Sequence, residues 1–405
     1  MTAGRPHVAL AVTALHGVSG GAERVMVDVA NGLHRRGFPV SVFTYQTHNG
    51  PSFYPLDYGI ARLDGRRKHS SGRSGSSLGG LTSLTRRNRL AATGVWIAQY
   101  APKILAFRRL LRTARPDVAI GFLPSSFPYL ELAATGLSIP VVSSLHNVPL
   151  RDLGGDPDRW DQNPVDIWAR RRALRRSAAN TVLLESFLDQ LEPAARSRTH
   201  VVPNPIAPAT LPPADVTTGP IDNTLLSVGR LSPAKDHATL LRAWARLERQ
   251  HPTWSLRIVG DGLLYHELIE LVAELGLERA SIESSRPDIE TVYSQAKILA
   301  MPSRYEGFGL VTAEAMAHGL PVVGFADCDG TNEIVVDDVN GVLVDSGADR
   351  IAALADELSA LMTDQSRRQR LASAGPGSVR SFHPDQVIDL WDEIIVDVAR
   401  SATSS

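Results

Sequence analysis

Residues 302–323 read Pro302-Ser303-Arg304-Tyr305-Glu306-Gly307-Phe308-Gly309-Leu310-Val311-Thr312-Ala313-Glu314-Ala315-Met316-Ala317-His318-Gly319-Leu320-Pro321-Val322-Val323. A short apolar run ends at Met301, as a buried strand does, and another follows over 320–324. Between them a glycine-bearing loop opens a helix over 310–318. Strand, loop, helix and strand in this order form the unit of a parallel α/β sheet. Glu306 lies in the loop. Gly307 and Gly309 flank Phe308 at the helix start, and Glu314 lies about one turn inside. A loop carboxylate can bond sugar hydroxyls or stabilise developing positive charge. The N–H groups of Gly309 and Leu310 can bind a hydroxyl or a phosphate. A single glutamate here would read as a solvated charge or a partner of the helix dipole; the whole string does not reduce to that.

The same pattern continues outward. A strand over 224–228 leads into Gly229-Arg230-Leu231-Ser232-Pro233-Ala234-Lys235 and a helix around 237–249. Two cations in a loop before a helix can clamp a diphosphate, Arg230 as a forked donor and Lys235 as a point charge. A strand over 255–259 leads into Gly260-Asp261-Gly262, half of a dinucleotide fingerprint, but Tyr265 stands where its third glycine belongs, which argues against NAD. Base contacts are expected near 284–287, including Arg286. Toward the N-terminus, strands are expected over 8–15, 39–45, 117–122, 139–145, 180–184 and 200–202. Gly20-Gly21-Ala22-Glu23-Arg24 opens a helix with Val25, Val29 and Leu33 on one side, closed by Gly37. Adjacent glycines at a helix N-terminus suit a phosphate, although a ligand-free turn looks the same. His146 follows the strand 139–145.

The chain thus divides into two Rossmann-like parallel-sheet domains, 1–203 and 204–380, with a proline-rich linker over 205–222. The amphipathic segment 381–405, with Val387, Leu390, Trp391, Ile394, Ile395 and Val398 on one side, is expected to pack back on the first domain. Ligands bind such sheets outside the carboxyl ends of the strands, so the site is expected in a cleft between the two domains.

Composition narrows the function. The 405 residues are 43% hydrophobic and 21% charged, as in a soluble globular protein of two or three domains. One Cys excludes a disulfide framework and a Cys-based zinc site. No apolar run is long enough to span a membrane. The start could pass for a signal peptide, but it leads into Gly17 and a helix, so it reads as a first strand of a cytoplasmic protein that can sit peripherally on the inner face of the membrane. A net charge of −1 gives no sign of a nucleic-acid partner, yet it hides a division: residues 1–200 hold 26 Lys+Arg against 14 Asp+Glu, leaving +12, and the remainder carries −13. Much of the excess, including Arg62, Arg66, Arg67, Lys68, Arg73, Arg86, Arg87 and Arg89, lies in or beside a Ser/Gly/Arg-rich stretch, 64–94, read as a long loop. Arg108, Arg109 and Arg112 follow, with Trp96, Tyr100 and Phe107. This suits an anionic membrane surface or a lipid-diphosphate acceptor, and equally a basic loop that touches nothing. Asp327-Cys328-Asp329 is a D-x-D string, which elsewhere binds divalent metal but is common by chance.

In order and spacing, these strings resemble the family-4 retaining glycosyltransferases, which have the GT-B fold and an E-x7-E motif. The resemblance spans nearly the whole chain and is most specific over 229–235 and 302–323. It implies that Gly20 and Gly21 face the donor diphosphate and that Arg230 and Lys235 neutralise it. It implies that Glu314 holds the ribose and that Glu306 contacts the donor sugar near its anomeric carbon. Gly307, Phe308, Gly309 and Leu310 would offer backbone amides, and His146 would bond the sugar or assist at the reacting centre. The implied activity is transfer of a hexose or N-acetylhexosamine from a nucleotide diphosphate sugar, UDP favoured, to a glycan or lipid-linked acceptor, with no cofactor and no metal. The sequence departs from the family at Asp236, where glycine is common, and over 327–334, where paired glycines are common. A sugar-nucleotide epimerase or hydrolase, or a non-catalytic nucleotide-sugar binder, would share the fold and the clamp.

Overall fold

The computed structural model describes residues 4–17, 20–46, 50–66, 89–155, 163–217, 223–286 and 288–403. The chain splits into two compact units, Met1–Asn204 with Pro384–Ser405, and Pro205–His383. In the first unit the described strands are β1 (Val8–Ala11), β2 (Val40–Thr44), β3 (Ala61–Asp64), β4 (Val118–Phe122), β5 (Val141–Ser144), β6 (Ala179–Val182) and β7 (Thr199–Val201). They form one parallel sheet in the order β3-β2-β1-β4-β5-β6-β7. The central strands are buried throughout, which is why they read as unbroken apolar runs rather than as alternation. The helix Gly21–Arg35 covers the sheet with Val25, Val29 and Leu33 inward, and Gly37 at φ +83° turns the chain into β2.

In the second unit β8 (Asn223–Val228), β9 (Trp254–Val259), β10 (Ala280–Glu283), β11 (Ile298–Met301), β12 (Val322–Phe325) and β13 (Gly341–Val344) form a second parallel sheet, in the order β10-β9-β8-β11-β12-β13. The two orders match. In each unit the strand order reverses beside the first strand, at β1/β4 and at β8/β11, and that reversal opens a crevice at the carboxyl ends of the strands.

Three expectations change. The stretch 205–222 is not a free linker: its described part, 205–217, lies on the second unit with Ile206 and Val216 buried. Ile206 N–H donates to the Phe382 carbonyl and Ala214 N–H to the His318 carbonyl, both at 2.8 Å. Of the stretch 64–94 expected as a loop, residues 89–94 belong to a helix that begins at Arg89 and runs to Ala114; residues 67–88, with Arg67, Lys68, Arg73, Arg86 and Arg87, lie outside the described residues. The aromatic residues on that helix do not face outward beside the arginines. Trp96 and Phe107 are buried, and Tyr100 stacks on Tyr129 with ring centroids 4.4 Å apart. Arg108 donates to the carbonyls of Ala133 and Thr135, and Arg109 to that of Gly65. These two cations hold the unit together. Among the described residues no helix is long and apolar enough to cross a membrane.

Candidate functional site

The second unit gathers most of the expected residues around the β8/β11 reversal. After β8 the chain makes a short turn over Pro233–Lys235, and Asp236 takes a left-handed conformation, φ +47°, before the helix His237–Leu247. That conformation explains why glycine is usual at this position. Here aspartate adopts it, and its carboxylate pairs with Arg304 at 3.0 Å. Arg304 N–H also donates to the Ala234 carbonyl at 2.8 Å, so the loop after β11 is bonded to the loop after β8.

Across that contact Lys235 Nζ donates to both carboxylate oxygens of Glu306, at 2.5 and 2.7 Å. The pair is largely withdrawn from water, with side chains 20% and 10% exposed. Glu306 is held from below as well. Its N–H donates to the Asp329 carbonyl at 2.8 Å, and a Cβ on Gly330 would lie 2.8 Å from the Glu306 carbonyl oxygen. Gly330 also has φ +86°, so two constraints demand glycine there. Arg350 ties the same loops together: it donates to the Ser303 carbonyl at 3.1 Å and to both oxygens of Asp327 at 2.8 Å, with its guanidinium 3.5 Å from the Phe325 ring centroid.

Gly309, φ +87°, caps the helix Leu310–Ala317, whose first N–H groups have no carbonyl within the helix to bond. The Phe308 ring is buried edge-on against Phe382, so this residue has only its backbone to offer a ligand. Glu314, one turn on, accepts a hydrogen bond from the Tyr293 hydroxyl at 2.8 Å. Arg230 is exposed and makes no ion pair among the described residues. Arg286 is exposed and forked onto Asp288, at 3.0 and 2.8 Å. The Gly260–Gly262 turn is structural: Cβ atoms there would meet the carbonyl oxygens of Gly229 at 1.9 Å and Leu231 at 2.2 Å. Those glycines let two post-strand loops touch, which accounts for the half fingerprint without a dinucleotide.

The two aspartates of the D-x-D string are held differently. Asp327 is engaged by Arg350 and by Ser346, and Asp329 offers its carbonyl to Glu306. Cys328 between them is buried, and that burial pushes its thiol up to about 12. Among the described residues no group of three or more His, Cys, Asp or Glu side chains could hold a metal ion.

In the first unit Gly20 caps the helix Gly21–Arg35 and Gly21 is its exposed first residue. His146 lies two residues beyond β5. Its Nε2 is 2.9 Å from Ser144 Oγ, and its ring stacks on Phe122 at 5.0 Å. Burial pushes the imidazole down to about 4, partly countered by Asn204, so it is uncharged at neutral pH. Its Nδ1 is buried and makes no well-formed hydrogen bond among the described residues. Sequence reasoning did not find Arg350 or Tyr293, since neither belongs to a recognisable string, and it read Gly330 only within the 327–334 segment, without a role of its own.

Residues 20–205 match the glycosyl transferase 4-like domain, and residues 217–377 match the glycosyl transferases group 1 family. The D-inositol 3-phosphate glycosyltransferase of Xylanimonas cellulosilytica is 34% identical over 304 residues, 67% of this chain and 69% of that protein. The chain belongs to the group 1 glycosyltransferases. Also similar to this glycosyltransferase is an α-1,4-N-acetyl-D-galactosaminyltransferase of Campylobacter jejuni, named for a PP-undecaprenol-linked glycan and 26% identical over 94% of this chain and 96% of that protein. The match to the amylovoran biosynthesis glycosyltransferase AmsD of Erwinia amylovora is 33% identical but spans 43% of this chain and about half, 48%, of that enzyme. Among solved structures, Anabaena HepE in complex with UDP and glucose superposes with a TM-score of 0.70 at 20% identity, covering 97% of this chain and 100% of that one. The fold of this glycosyltransferase is GT-B.

Proposed function

We propose that this glycosyltransferase moves a hexose or N-acetylhexosamine from a nucleotide diphosphate sugar, UDP favoured, to an acceptor hydroxyl, with retention at the anomeric carbon and without a metal ion. The observation that carries the reading is the Lys235–Glu306 pair at the β8/β11 reversal, beside the open end of the helix Leu310–Ala317. In this reading the diphosphate lies against Lys235, Arg230 and the Gly307–Leu310 amides, and Glu314 takes the ribose. Lys235 has three donors, so it can hold Glu306 and a phosphate oxygen together. As the sugar–phosphate bond breaks, the cations stabilise the leaving oxygens, and Glu306 faces the positive charge that develops on the sugar. Such fixed charges are worth about 2.7–4 kcal/mol each where water is excluded. Neutral His146 is suited to accept a sugar hydroxyl proton in a hydrogen bond.

The HepE ligands support a UDP-sugar donor, and the names of the two relatives suggest two acceptors, a polyprenyl diphosphate-linked glycan and D-inositol 3-phosphate. The first would place the protein peripherally at the cytoplasmic membrane face. The test is incubation with labelled UDP-sugars, with and without each acceptor, in the presence of EDTA. Acceptor-dependent transfer that survives EDTA is expected. Donor turnover without any acceptor would replace the transferase with a hydrolase, and loss restored by manganese would overturn the metal-free reading. The Glu306→Gln variant should lose at least roughly a hundredfold in kcat and keep UDP affinity, measured by calorimetry; an active variant removes the role given to Glu306.

A further inference from the structure

Glu314 is oriented from outside its own helix. Tyr293, on the helix Ile289–Gln295 that precedes β11, donates its hydroxyl to Oε2 of Glu314 at 2.8 Å. The tyrosine is 1% exposed, so its ring cannot swing to follow a carboxylate that moves. On one side it meets the ring of His318, with centroids 5.1 Å apart. His318 is itself anchored to Glu314, its Nδ1 lying 2.8 Å from the Glu314 carbonyl oxygen. The glutamate is therefore fixed at two points, its backbone carbonyl and its carboxylate, by two rings that pack on each other.

A glutamate side chain has three rotatable bonds, and ordering such a chain at the moment of binding weakens affinity. A carboxylate has about four acceptor sites, more than the Tyr293 hydroxyl takes, and a pair of neighbouring ones suits the paired hydroxyls of a ribose. We propose that Tyr293 is a positioning residue that presents Glu314 to the ribose of the donor nucleotide and so sets the preference for ribonucleotides over their deoxy counterparts. This rests on the proposed function, in which Glu314 holds the ribose. Tyr293 touches no substrate; it acts through the carboxylate.

The experiment is calorimetric binding of UDP and 2′,3′-dideoxy-UDP to the full-length wild type, Tyr293→Phe and Glu314→Gln. Phenylalanine keeps the buried ring and deletes only the hydroxyl, so the thermal midpoint should move little. The wild type should prefer UDP. Tyr293→Phe should weaken UDP roughly tenfold, the scale of one hydrogen bond to a charged group, and leave the dideoxy nucleotide within about twofold. The preference should then approach that of Glu314→Gln. A variant that weakens both ligands equally has a general structural role, and one that changes neither has no role in binding; either result overturns the inference. If wild-type protein binds UDP and its dideoxy form alike, the assignment of Glu314 to the ribose fails first, and the inference falls with it.

Discussion

Lys103 is a cation with almost no water around it, 5% exposed, on the helix Arg89–Ala114. Its Nζ donates to Thr13 Oγ1 at 2.7 Å and to the Ser125 carbonyl, and it sits 4.9 Å from the centroid of the Tyr129 ring. Thr13 follows β1 and Ser125 follows β4, so one ammonium joins the two loops at the strand-order reversal of the first unit. Burial pushes the ammonium down to about 7, against the opposing effect of Asp166. The consequence for stability has a definite sign. Below pH 7 the group is charged in both folded and unfolded chains, and its burial cost is present in full. Between pH 7 and its ordinary value of 10.5 only the unfolded chain holds the proton, so stability rises with pH. Denaturant unfolding of wild type and Lys103→Met from pH 6 to 9.5 isolates this group. The wild-type advantage should climb by about 1.4 kcal/mol per pH unit above 7. A constant difference would show that Lys103 keeps its proton in the folded protein. Lys235 contrasts with it: a carboxylate partner within hydrogen-bond reach balances its charge, which suits the diphosphate contact proposed for it.

Among the elements, the post-strand loops decide the site, and glycine decides how closely they approach. A Cβ on Gly260 would lie 1.9 Å from the Gly229 carbonyl oxygen, a backbone atom that cannot turn aside. The nearest atoms to a Cβ on Gly229 would be those of the flexible Lys235 side chain, at 3.4 Å. Gly260→Ala should therefore push the Arg230–Lys235 loop off its neighbour, lower stability by about 1–3 kcal/mol and weaken UDP binding, while Gly229→Ala stays near wild type. Thermal unfolding and calorimetry of the two variants check this, and equal behaviour would refute the close-approach argument. The same loops show what a sequence can disclose. β8, β11 and β12 are legible because they are buried apolar runs bounded by turns, and Glu306 and Lys235 because each stands in a string of fixed spacing. β3 and β10 are not: they are half-exposed edge strands, Ala-Arg-Leu-Asp and Ala-Ser-Ile-Glu, with no apolar run to read. Tyr293 and Arg350 are invisible for another reason. Each matters through a meeting with a residue more than 20 positions away, Glu314 or the loops of Ser303 and Asp327, and no local pattern encodes such a meeting.

At the scale of the whole molecule, the charge division is smaller between the two units than between the halves of the chain. The helix Pro384–Thr403 carries five acidic residues and one arginine, and it belongs to the first unit. Moving it there reduces the imbalance from +12 and −13 to +8 and −9. Its acidic face meets basic residues of that unit, with Asp389 2.5 Å from Arg36 and Asp392 2.6 Å from Arg5. These ion pairs are partly exposed and contribute little. The apolar face matters more. Val387, Ile388, Trp391, Ile394, Ile395 and Val398 are buried, and Trp391 lies 5.7 Å from the Phe122 ring. A Cβ on Gly32 would lie 2.6 Å from the Ile388 side chain, so the helix Gly21–Arg35 is shaped to receive this one. Six such side chains contribute on the order of 10 kcal/mol as an upper estimate, comparable to the whole stability of an ordinary domain. Stopping the chain at His383 should therefore unfold the first unit, although every residue from 1 to 204 is still present. The second unit, Pro205–His383, loses none of its own residues and should keep its cooperative transition. Calorimetry of the truncated protein should show one unfolding event in place of those of the full chain, and limited proteolysis should spare a core beginning near residue 205. A truncated protein whose first unit still unfolds cooperatively would mean that the first sheet is stable without its C-terminal helix.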